Sequence, residues 1–294
     1  MNKKLKCTVC HHNCELLPSA MGFCGVRQNI DGKIVNRSYG LISSIALDPI
    51  EKKPLYQYFP GSSILSVGSF GCNMACDFCQ NYHIAQKRLP KCDTESGERF
   101  TPLELVELAV RTKHRGNIGI AFTYNEPLIN YEFIIDCGKI IKKTNADLKL
   151  ILVTNGHLNE EYAQKIYPFV DAMNIDLKFF NESFYKKMGG NFSLVKNFIS
   201  EAVKHCHVEL TYLLIPHLND TAEEVEAMAS WVASLDCKGT SPIKSGKEIP
   251  LHISRFFPTY KLTDRAPTSI ASVYAAVDLA KKYLHRVYPG NVPF

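Results

Sequence analysis

The sequence predicts an α/β protein in which a small cysteine-rich cap precedes a parallel β-sheet that is doubly wound or closed into a full or partial barrel. Two observations lead to this fold. From residue 64 onward, six short apolar runs alternate with segments of helical periodicity, which is typical of repeated β/α units. By contrast, seven of the eleven cysteines lie within the first 79 residues. We therefore assign residues 1–60 to the cap and residues 61–294 to the β/α body.

The six apolar runs have the length and the continuous hydrophobic character of strands buried on both faces. They are Ile64–Phe70, Ile118–Thr123, Leu148–Thr154, Ala172–Leu177, Val208–Ile215 and Ile249–Ser254. Apolar residues at intervals of three and four predict helices near residues 222–235 and 270–284. Further helix starts are expected at Thr101-Pro102 and at Asp220-Thr221. Within the cap, Asp31-Gly32 between two β-prone runs predicts a hairpin.

The composition is that of an ordinary globular chain, with 46% hydrophobic and 21% charged residues, and it excludes disorder, collagen and a coiled coil. The net charge of +5 is dispersed rather than gathered into a block. A nucleic-acid interface would need a dense basic stripe with interleaved aromatic residues, so nucleic acid is not an expected partner. No apolar run approaches the roughly 20 residues that cross a bilayer, and no apolar signal segment follows the basic start. We therefore expect a cytoplasmic protein without membrane contact.

The cysteines divide into clustered and isolated positions. An odd number of cysteines without an export signal argues against a disulfide framework, because cytosolic thiols are kept reduced. Four isolated cysteines are expected to be small buried residues or inert thiols. They are Cys92, Cys137, Cys206 and Cys237. The clustered cysteines have the arrangement expected of metal ligands.

One cluster is Cys72-x-x-x-Cys76-x-x-Cys79, directly after the first predicted strand. A tight turn with this spacing can direct three thiolates at one centre. Three thiolates would leave one iron of a four-iron cluster open to a further ligand, as a cluster that passes an electron to a bound molecule requires. A zinc ion held by three cysteines and a water is the alternative for this site.

This spacing, with Phe78 just before the last cysteine, resembles the signature of the radical S-adenosylmethionine (SAM) enzymes. The resemblance covers almost the whole chain. It is greatest to the activating-enzyme branch, of the pyruvate formate-lyase activating enzyme type, and within that branch to the radical SAM enzyme of the AmmeMemoRadiSam system. The segments that carry the branch are 22–27 (GFCGVR), 46–56 (ALDPIEKKPLY), 59–61 (FPG), 79–81 (CQN) and 251–256 (LHISRF).

The resemblance implies a partial (β/α)6 TIM-like barrel with a [4Fe-4S] cluster on Cys72, Cys76 and Cys79. In the family, this cluster cleaves SAM reductively to methionine and a 5′-deoxyadenosyl radical. The resemblance also implies SAM-binding residues at the ends of the predicted strands. They are Phe78, Tyr124, Asn125, Glu126, Thr154, Asn155, Asp176, Lys178, His252 and Arg255.

Within this set, Tyr124-Asn125-Glu126 corresponds to a Gly-Gly-Glu segment that contacts the SAM amino group, and Asp176 to a residue beside a monovalent cation. Simpler interpretations stay open. The Glu126 carboxylate is also suited to a helix start before Pro127. Asp176 and Lys178 are two residues apart on one strand, so they face the same side and would also pair with each other without a ligand. His252 and Arg255 are equally compatible with core or surface roles.

The second cysteine cluster lies in the cap and consists of Cys7, Cys10, Cys14 and Cys24. Four thiolates at this spacing can surround a zinc ion, which would stabilise a cap of some 60 residues. An auxiliary iron–sulfur cluster is the competing occupant, and a site without metal is the third alternative. His11 or His12 is also able to replace one cysteine as a ligand.

Two functions from different classes follow. The first is an enzyme that generates a radical from SAM and abstracts hydrogen from a glycyl-radical enzyme, another protein or peptide, or a small molecule. It implies an electron donor such as flavodoxin or ferredoxin. The second is a scaffold or binding protein whose zinc-held cap is a recognition module and which does not cleave SAM. The presence of all three cysteines at 72, 76 and 79 favours the enzyme.

Overall fold

The computed structural model describes residues 4–89 and 97–293, and these contain fourteen strands and eight α-helices. The strands are β1 (Leu5–Lys6), β2 (Glu15–Leu16), β3 (Arg27–Ile30), β4 (Lys33–Asn36), β5 (Leu41–Ile42), β6 (Ser44–Pro49), β7 (Ser63–Gly68), β8 (Glu98–Arg99), β9 (Asn117–Thr123), β10 (Lys149–Thr154), β11 (Ala172–Asp176), β12 (His207–Leu214), β13 (Leu251–Arg255) and β14 (Val287–Gly290). The α-helices are α1 (Tyr82–Ala85), α2 (Pro102–Arg111), α3 (Tyr131–Thr144), α4 (Glu160–Ile166), α5 (Glu182–Lys187), α6 (Phe192–His205), α7 (Ala222–Ala233) and α8 (Ile270–Ala280).

Eight of the described strands form one sheet in the order β14-β13-β12-β11-β10-β9-β7-β6. Neighbouring strands are parallel except at one edge, where β6 is antiparallel to β7. The six predicted apolar runs correspond to β7 and β9 to β13, which confirms the α/β fold. β6 and β14 extend the sheet beyond these six strands. Because β6 lies upstream of residue 61, the sheet starts before the predicted body, and the division at residue 60 stays a prediction.

The helices between the strands begin where the sequence provides capping oxygens. Thr101 accepts a hydrogen bond from the backbone N–H of Glu104, and the Glu104 carboxylate accepts one from the backbone N–H of Thr101, which completes a capping box at α2. Thr221 caps α7, whereas Asp220 accepts from the backbone N–H of His217 in the preceding turn. No helix in the described ranges is long and apolar enough to cross a membrane.

The inner face of the parallel sheet changes from apolar to polar along the strand direction. At the amino ends it is apolar, and it packs against Ile50 and Leu55 from the segment after β6. The residues that contribute there are Ile64, Ala121, Ile151 and Ala172. The inward side chains two and four positions later on the same strands are mostly polar. The sheet therefore closes its lower interior with hydrophobic contacts and leaves a polar site at its carboxyl ends.

The predicted hairpin in the cap is confirmed. β3 and β4 pair in antiparallel register around Asp31 and Gly32, whose φ angles of 48° and 75° are those of a type I′ turn. The cap is joined to the body by Arg27, whose buried guanidinium donates to the Glu132 carboxylate at 2.7 Å and to the Ile129 carbonyl oxygen at 2.8 Å. The cap and the body are therefore in direct polar contact.

Candidate active site

The three cysteines of the 72–79 segment lie in the loop between β7 and α1. Backbone hydrogen bonds attach this loop to several surrounding segments. The Ala75 N–H donates to the Met188 carbonyl at 2.8 Å, and the N–H groups of Lys261 and Leu262 donate to the Asp77 carbonyl. The loop is therefore fixed by residues that are far away in the sequence.

All three thiols of this loop have a raised pKa because they are buried. Burial raises the pKa of Cys76 to about 12 and that of Cys72 well above its usual value. The Lys178 ammonium partly offsets the effect at Cys76 and Cys79, whereas the negative charges of neighbouring thiolates add to it. Thiolates at these positions would therefore need a cationic partner such as a metal cluster.

The spacing of the thiols bears on the kind of metal centre. In residues 4–89 and 97–293, no three His, Cys, Asp or Glu side chains are arranged to hold a single metal ion. A four-iron cluster binds its thiolates through different irons, so they lie farther apart than the ligands of one tetrahedral ion. The three-thiol loop is compatible with a cluster that leaves one iron open, because such a cluster has one more iron than it has thiolate ligands.

A cavity of about 470 Å³ opens beside this loop at the carboxyl ends of the strands. It is lined by Cys72, Cys76, Cys79 and eight of the ten residues that the resemblance indicates for SAM. Those eight are Phe78, Tyr124, Asn125, Glu126, Thr154, Asn155, Asp176 and Lys178. The fold thus brings residues from the ends of three strands, β9, β10 and β11, to the same space as the three thiols.

Glu126 lies at the centre of this constellation and is only 2% exposed. One carboxylate oxygen accepts from the Leu128 N–H at 2.9 Å and from the Thr154 hydroxyl at 2.6 Å, and the other accepts from the Asn155 N–H at 2.8 Å. Burial raises the pKa of Glu126 to about 7, although these hydrogen bonds act to lower it. Glu126 therefore caps a short 3-10 helix, in agreement with the predicted helix start before Pro127, and it also lines the cavity.

Tyr124 has a left-handed backbone with a φ of 72°, the conformation that glycine adopts most readily. Its side chain extends toward β6, where the hydroxyl donates to the Asp48 carboxylate at 2.9 Å. The same carboxylate oxygen accepts from Lys53 at 2.9 Å. Burial favours a higher pKa for Asp48, but the hydrogen bonds from Lys53 and Tyr124 outweigh it and lower the pKa to about 2.

Asp176 and Lys178 form an ion pair of 2.9 Å at the cavity wall. Burial favours a lower pKa for Lys178, but attraction to Asp176 and to the Cys76 sulfur outweighs it and raises the pKa. The ammonium therefore stays charged. Mutual pairing accounts for part of this arrangement, while the position of both groups at the cavity leaves them available to a charged ligand.

His252 and Arg255 do not line the cavity. The His252 ring donates at 2.7 Å to the Glu209 carboxylate, which also accepts from His207 at 3.0 Å. Arg255 donates to the Thr268 carbonyl at 2.6 Å and lies over the Phe257 ring. His252 is therefore a buried residue with its own carboxylate partner, and Arg255 is half-buried; a contact of either residue with SAM stays a prediction.

Ten further polar residues line the cavity besides the predicted site residues. They are Lys52, Lys53, Gln80, Asn81, Gln86, Thr123, Asn174, Thr211, Ser254 and Asn291. The strand period could have indicated Asn174, Thr211 and Ser254, because each lies two positions from another inward-facing residue of its strand. Asn174 precedes Asp176 by two positions, and its amide donates to the Pro54 carbonyl at 2.9 Å.

The four cap cysteines lie near one another. Burial raises the pKa of Cys10 to about 12, and the negative charges of the Cys24, Cys14 and Cys7 sulfurs raise it further. The Cys7 N–H donates to the Cys14 carbonyl at 2.9 Å and closes the first loop. Four thiols that lie this close together have the chemistry of a metal site with thiolate ligands.

The three isolated cysteines within the described residues do not line the cavity. Cys137, Cys206 and Cys237 are buried free thiols, as expected. The Cys206 thiol lies 3.7 Å from the Ala202 carbonyl and the Cys237 thiol 3.8 Å from the Leu235 carbonyl. Cys92 lies outside the described residues.

Comparison with known proteins identifies relatives of the whole chain. A family model described as the radical SAM superfamily matches residues 66–232. An uncharacterized protein of Methanocaldococcus jannaschii is 36% identical over 99% of this chain and 83% of its own length. The pyruvate formate-lyase-activating enzyme of Clostridium pasteurianum is 24% identical over 60% of this chain and 72% of its own. Among solved structures, Streptococcus suis SuiB has the same fold, with a TM-score of 0.53 and 11% identity over 82% of this chain and 51% of SuiB.

Proposed function

Because the chain belongs to the radical SAM superfamily, and is therefore an enzyme whose family uses a [4Fe-4S] cluster and SAM, we propose that Cys72, Cys76 and Cys79 hold that cluster and that SAM occupies the adjoining cavity. The observation that carries this proposal is the meeting of three buried thiols with a polar cavity built from the carboxyl-terminal parts of five other strands, β9 to β13. When bound, the cluster supplies the electron for reductive cleavage of SAM.

The residues around the cavity would bind and orient SAM. Thr154 and Asn155 hold the Glu126 carboxylate toward the cavity, where it is suited to the positively charged amino group of SAM. Lys178 is suited to the SAM carboxylate, and Asp176 to a monovalent cation beside it. The buried hydrophobic floor under the cavity would limit the access of water to a reactive radical.

We further propose that the hydrogen donor is a protein or peptide, such as a glycyl-radical enzyme. The two outer strands of the sheet, β6 and β14, do not pair with each other, and Ser254 and Asn291 line the cavity near the β14 end. A protein or peptide segment could enter the cavity between these strands. An activating enzyme is among the relatives of this chain. An electron donor such as flavodoxin or ferredoxin would supply the reducing equivalent.

For the cap, we propose that Cys7, Cys10, Cys14 and Cys24 bind a metal centre, with zinc as the expected occupant and an auxiliary iron–sulfur cluster as the alternative. The mutual proximity of the four sulfurs supports this. Measurement of iron, sulfide and zinc per chain separates the two occupants, because zinc adds one ion without sulfide.

The decisive experiment is a SAM cleavage assay on anaerobically purified protein. We expect a brown protein that forms 5′-deoxyadenosine when dithionite and SAM are added. A colourless protein that contains only zinc and leaves SAM intact would overturn the proposal. Addition of candidate protein substrates, with deuterium transfer into 5′-deoxyadenosine as the readout, then identifies the hydrogen donor.

A substitution of Lys178 tests the assignment of the SAM carboxylate. Lys178→Met removes a cation from the cavity wall, and we expect the SAM dissociation constant to rise about tenfold or more, the usual effect of losing a charge-assisted hydrogen bond. Lys139→Met is the matched control, because Lys139 forms a similar 3.0 Å pair with Asp136 on the exposed face of α3. Equilibrium binding of SAM by both variants, with iron content measured in parallel, decides the question. Unchanged affinity in Lys178→Met would contradict the assignment.

A further inference from the structure

Two consecutive histidines of the cap reach across to the body of the protein. His11 and His12 lie between Cys10 and Cys14. The His12 Nε2 atom is 2.9 Å from the Asn73 carbonyl oxygen, and the His11 Nε2 atom is 2.7 Å from the Gly189 carbonyl oxygen. Because a carbonyl oxygen only accepts, each ring must donate from Nε2. Both histidines therefore bind the backbone of the body directly.

The packing of the two rings keeps them in this orientation. The His12 ring stacks on Phe23 with 4.0 Å between centroids, and Phe23 precedes Cys24. The His11 ring lies 4.2 Å from His12 on one side and 5.2 Å from His157 on the other. The Nδ1 atom of His11 is buried and has no hydrogen-bond partner among the described residues. The rings are thus held between cap residues and a loop of the body.

The acceptor of His12 belongs to the cysteine loop of the candidate active site. Asn73 directly follows Cys72. Its side chain donates to the His157 carbonyl at 2.6 Å and accepts from Asn155 at 2.9 Å. The Asn155 amide also lies 3.7 Å from the Cys72 sulfur. A short chain of polar contacts therefore leads from the cap, through His12 and Asn73, to the first thiol of the loop.

We propose that His12 is a positioning residue that couples the cap thiols to the cysteine loop, so that an occupied cap site holds Cys72 in the geometry that binds the cluster. The inference rests on the proposed assignment of the cluster to Cys72, Cys76 and Cys79. Its physical basis is that the segment 11–13 lies between two cap thiols, Cys10 and Cys14. A metal bound by both would fix that segment, and with it the donor on the Asn73 carbonyl.

The test compares two substitutions of His12. His12→Phe keeps the stacking on Phe23 and removes the donor, whereas His12→Gln keeps an amide donor close to the position of Nε2. The readout is the electron paramagnetic resonance signal of the dithionite-reduced protein that shifts when SAM is added, because only a cluster with an open iron responds. We expect His12→Phe to reduce the intensity of this signal about fivefold, which corresponds to the usual contribution of one hydrogen bond. His12→Gln should recover most of it.

Matched controls separate positioning from a loss of folding. His114→Phe makes the same substitution at an exposed ring that contacts the Arg111 carbonyl, and it should leave the signal unchanged. The thermal midpoint of each variant shows whether the chain is folded. If His12→Phe does not fold, His12→Gln and the cap variants below still carry the test.

The coupling itself is tested by a double-mutant cycle. Cys10→Ser/Cys14→Ser removes two cap thiols and should lower the SAM-responsive signal to a similar extent as His12→Phe. Combined with His12→Phe, it should cause little additional loss, because both changes break the same link. A full signal in His12→Phe, or losses that multiply in the combined variant, would overturn the coupling alone. A wild-type protein without any SAM-responsive signal would overturn the proposed function and this inference with it.

Discussion

Replacing Cys76 with serine will produce a protein without the visible absorption of an iron–sulfur cluster, and it will form 5′-deoxyadenosine at a rate reduced about 100-fold or more. The reason is that Cys76 would be a direct ligand, and even partners outside the ligand shell commonly change metal affinity about 10- to 100-fold. The measurement is the iron content and the yield of 5′-deoxyadenosine with dithionite and SAM. Retention of full iron and full cleavage by Cys76→Ser would refute the ligand assignment.

The control for this result is another buried cysteine. Cys206 is 3% exposed, like Cys76 at 6%, but it lies far from the cavity at the end of α6. Its thiol already faces the Ala202 carbonyl, so a serine hydroxyl has an acceptor in place. Cys206→Ser should therefore keep both the cluster and SAM cleavage. If both variants lose the cluster, a general loss of stability, rather than a missing ligand, would be the cause.

Removal of the Glu209 carboxylate will lower the free energy of unfolding by about 3–5 kcal/mol, because it leaves several buried hydrogen-bond donors without their acceptor. Glu209 accepts from His207 and His252 and from the backbone N–H groups of Tyr56 and Gln57 at 2.9 Å and 2.7 Å. It therefore fastens the segment after β6 to the inner face of β12. Denaturant unfolding of Glu209→Ala against wild type measures the loss.

Glu161→Ala provides the matched control, because Glu161 pairs with Lys165 at 2.8 Å on the exposed face of α4. Exposed pairs of this kind contribute about 0–1 kcal/mol. If Glu209→Ala lowers the free energy of unfolding by no more than Glu161→Ala does, the proposed anchoring role of Glu209 is wrong.

The same carboxylate gives the stability a defined pH dependence. Burial favours a higher pKa for Glu209, but the hydrogen bonds from His207 and His252 outweigh it and hold the pKa at about 2, below the ordinary value of 4.5. A lowered pKa in the folded state contributes stability that is fully present above the ordinary pKa and is lost as the pH falls toward 2. Wild type should therefore lose stability more steeply than Glu209→Ala below about pH 4.5. Parallel curves for the two proteins would exclude this contribution.

The sequence alone predicts most of the sheet, because strands buried on both faces are continuous apolar runs whatever their partners are. It predicts less of the site. Asn174 and Thr211 lie between apolar neighbours in β11 and β12, and only the alternation along each strand indicates that they face the cavity. The edge strands β6 and β14 contain polar residues and prolines, so they lack the apolar signal of the central strands.

The remaining gaps concern partners that are distant in sequence. The sequence around His252 does not reveal its partner Glu209, which is 43 positions earlier in the chain. In the fold, the Glu209 carboxylate lies 2.7 Å from the His252 ring. The contacts of His11 and His12 have no sequence signal at all, because their acceptors are backbone carbonyls and every residue has one. Such contacts become visible only when the fold brings the cap and the cysteine loop together.

The open sheet has a consequence for the behaviour of the protein in concentrated solution. A sheet that does not close leaves unpaired backbone groups along its outer strands, and these can pair with another chain and start aggregation. Both outer strands contain a residue that cannot donate a backbone hydrogen bond, Pro49 in β6 and Pro289 in β14. These prolines remove one backbone donor from each of the two strands on which a second sheet could grow, which disfavours pairing of the outer strands with another chain.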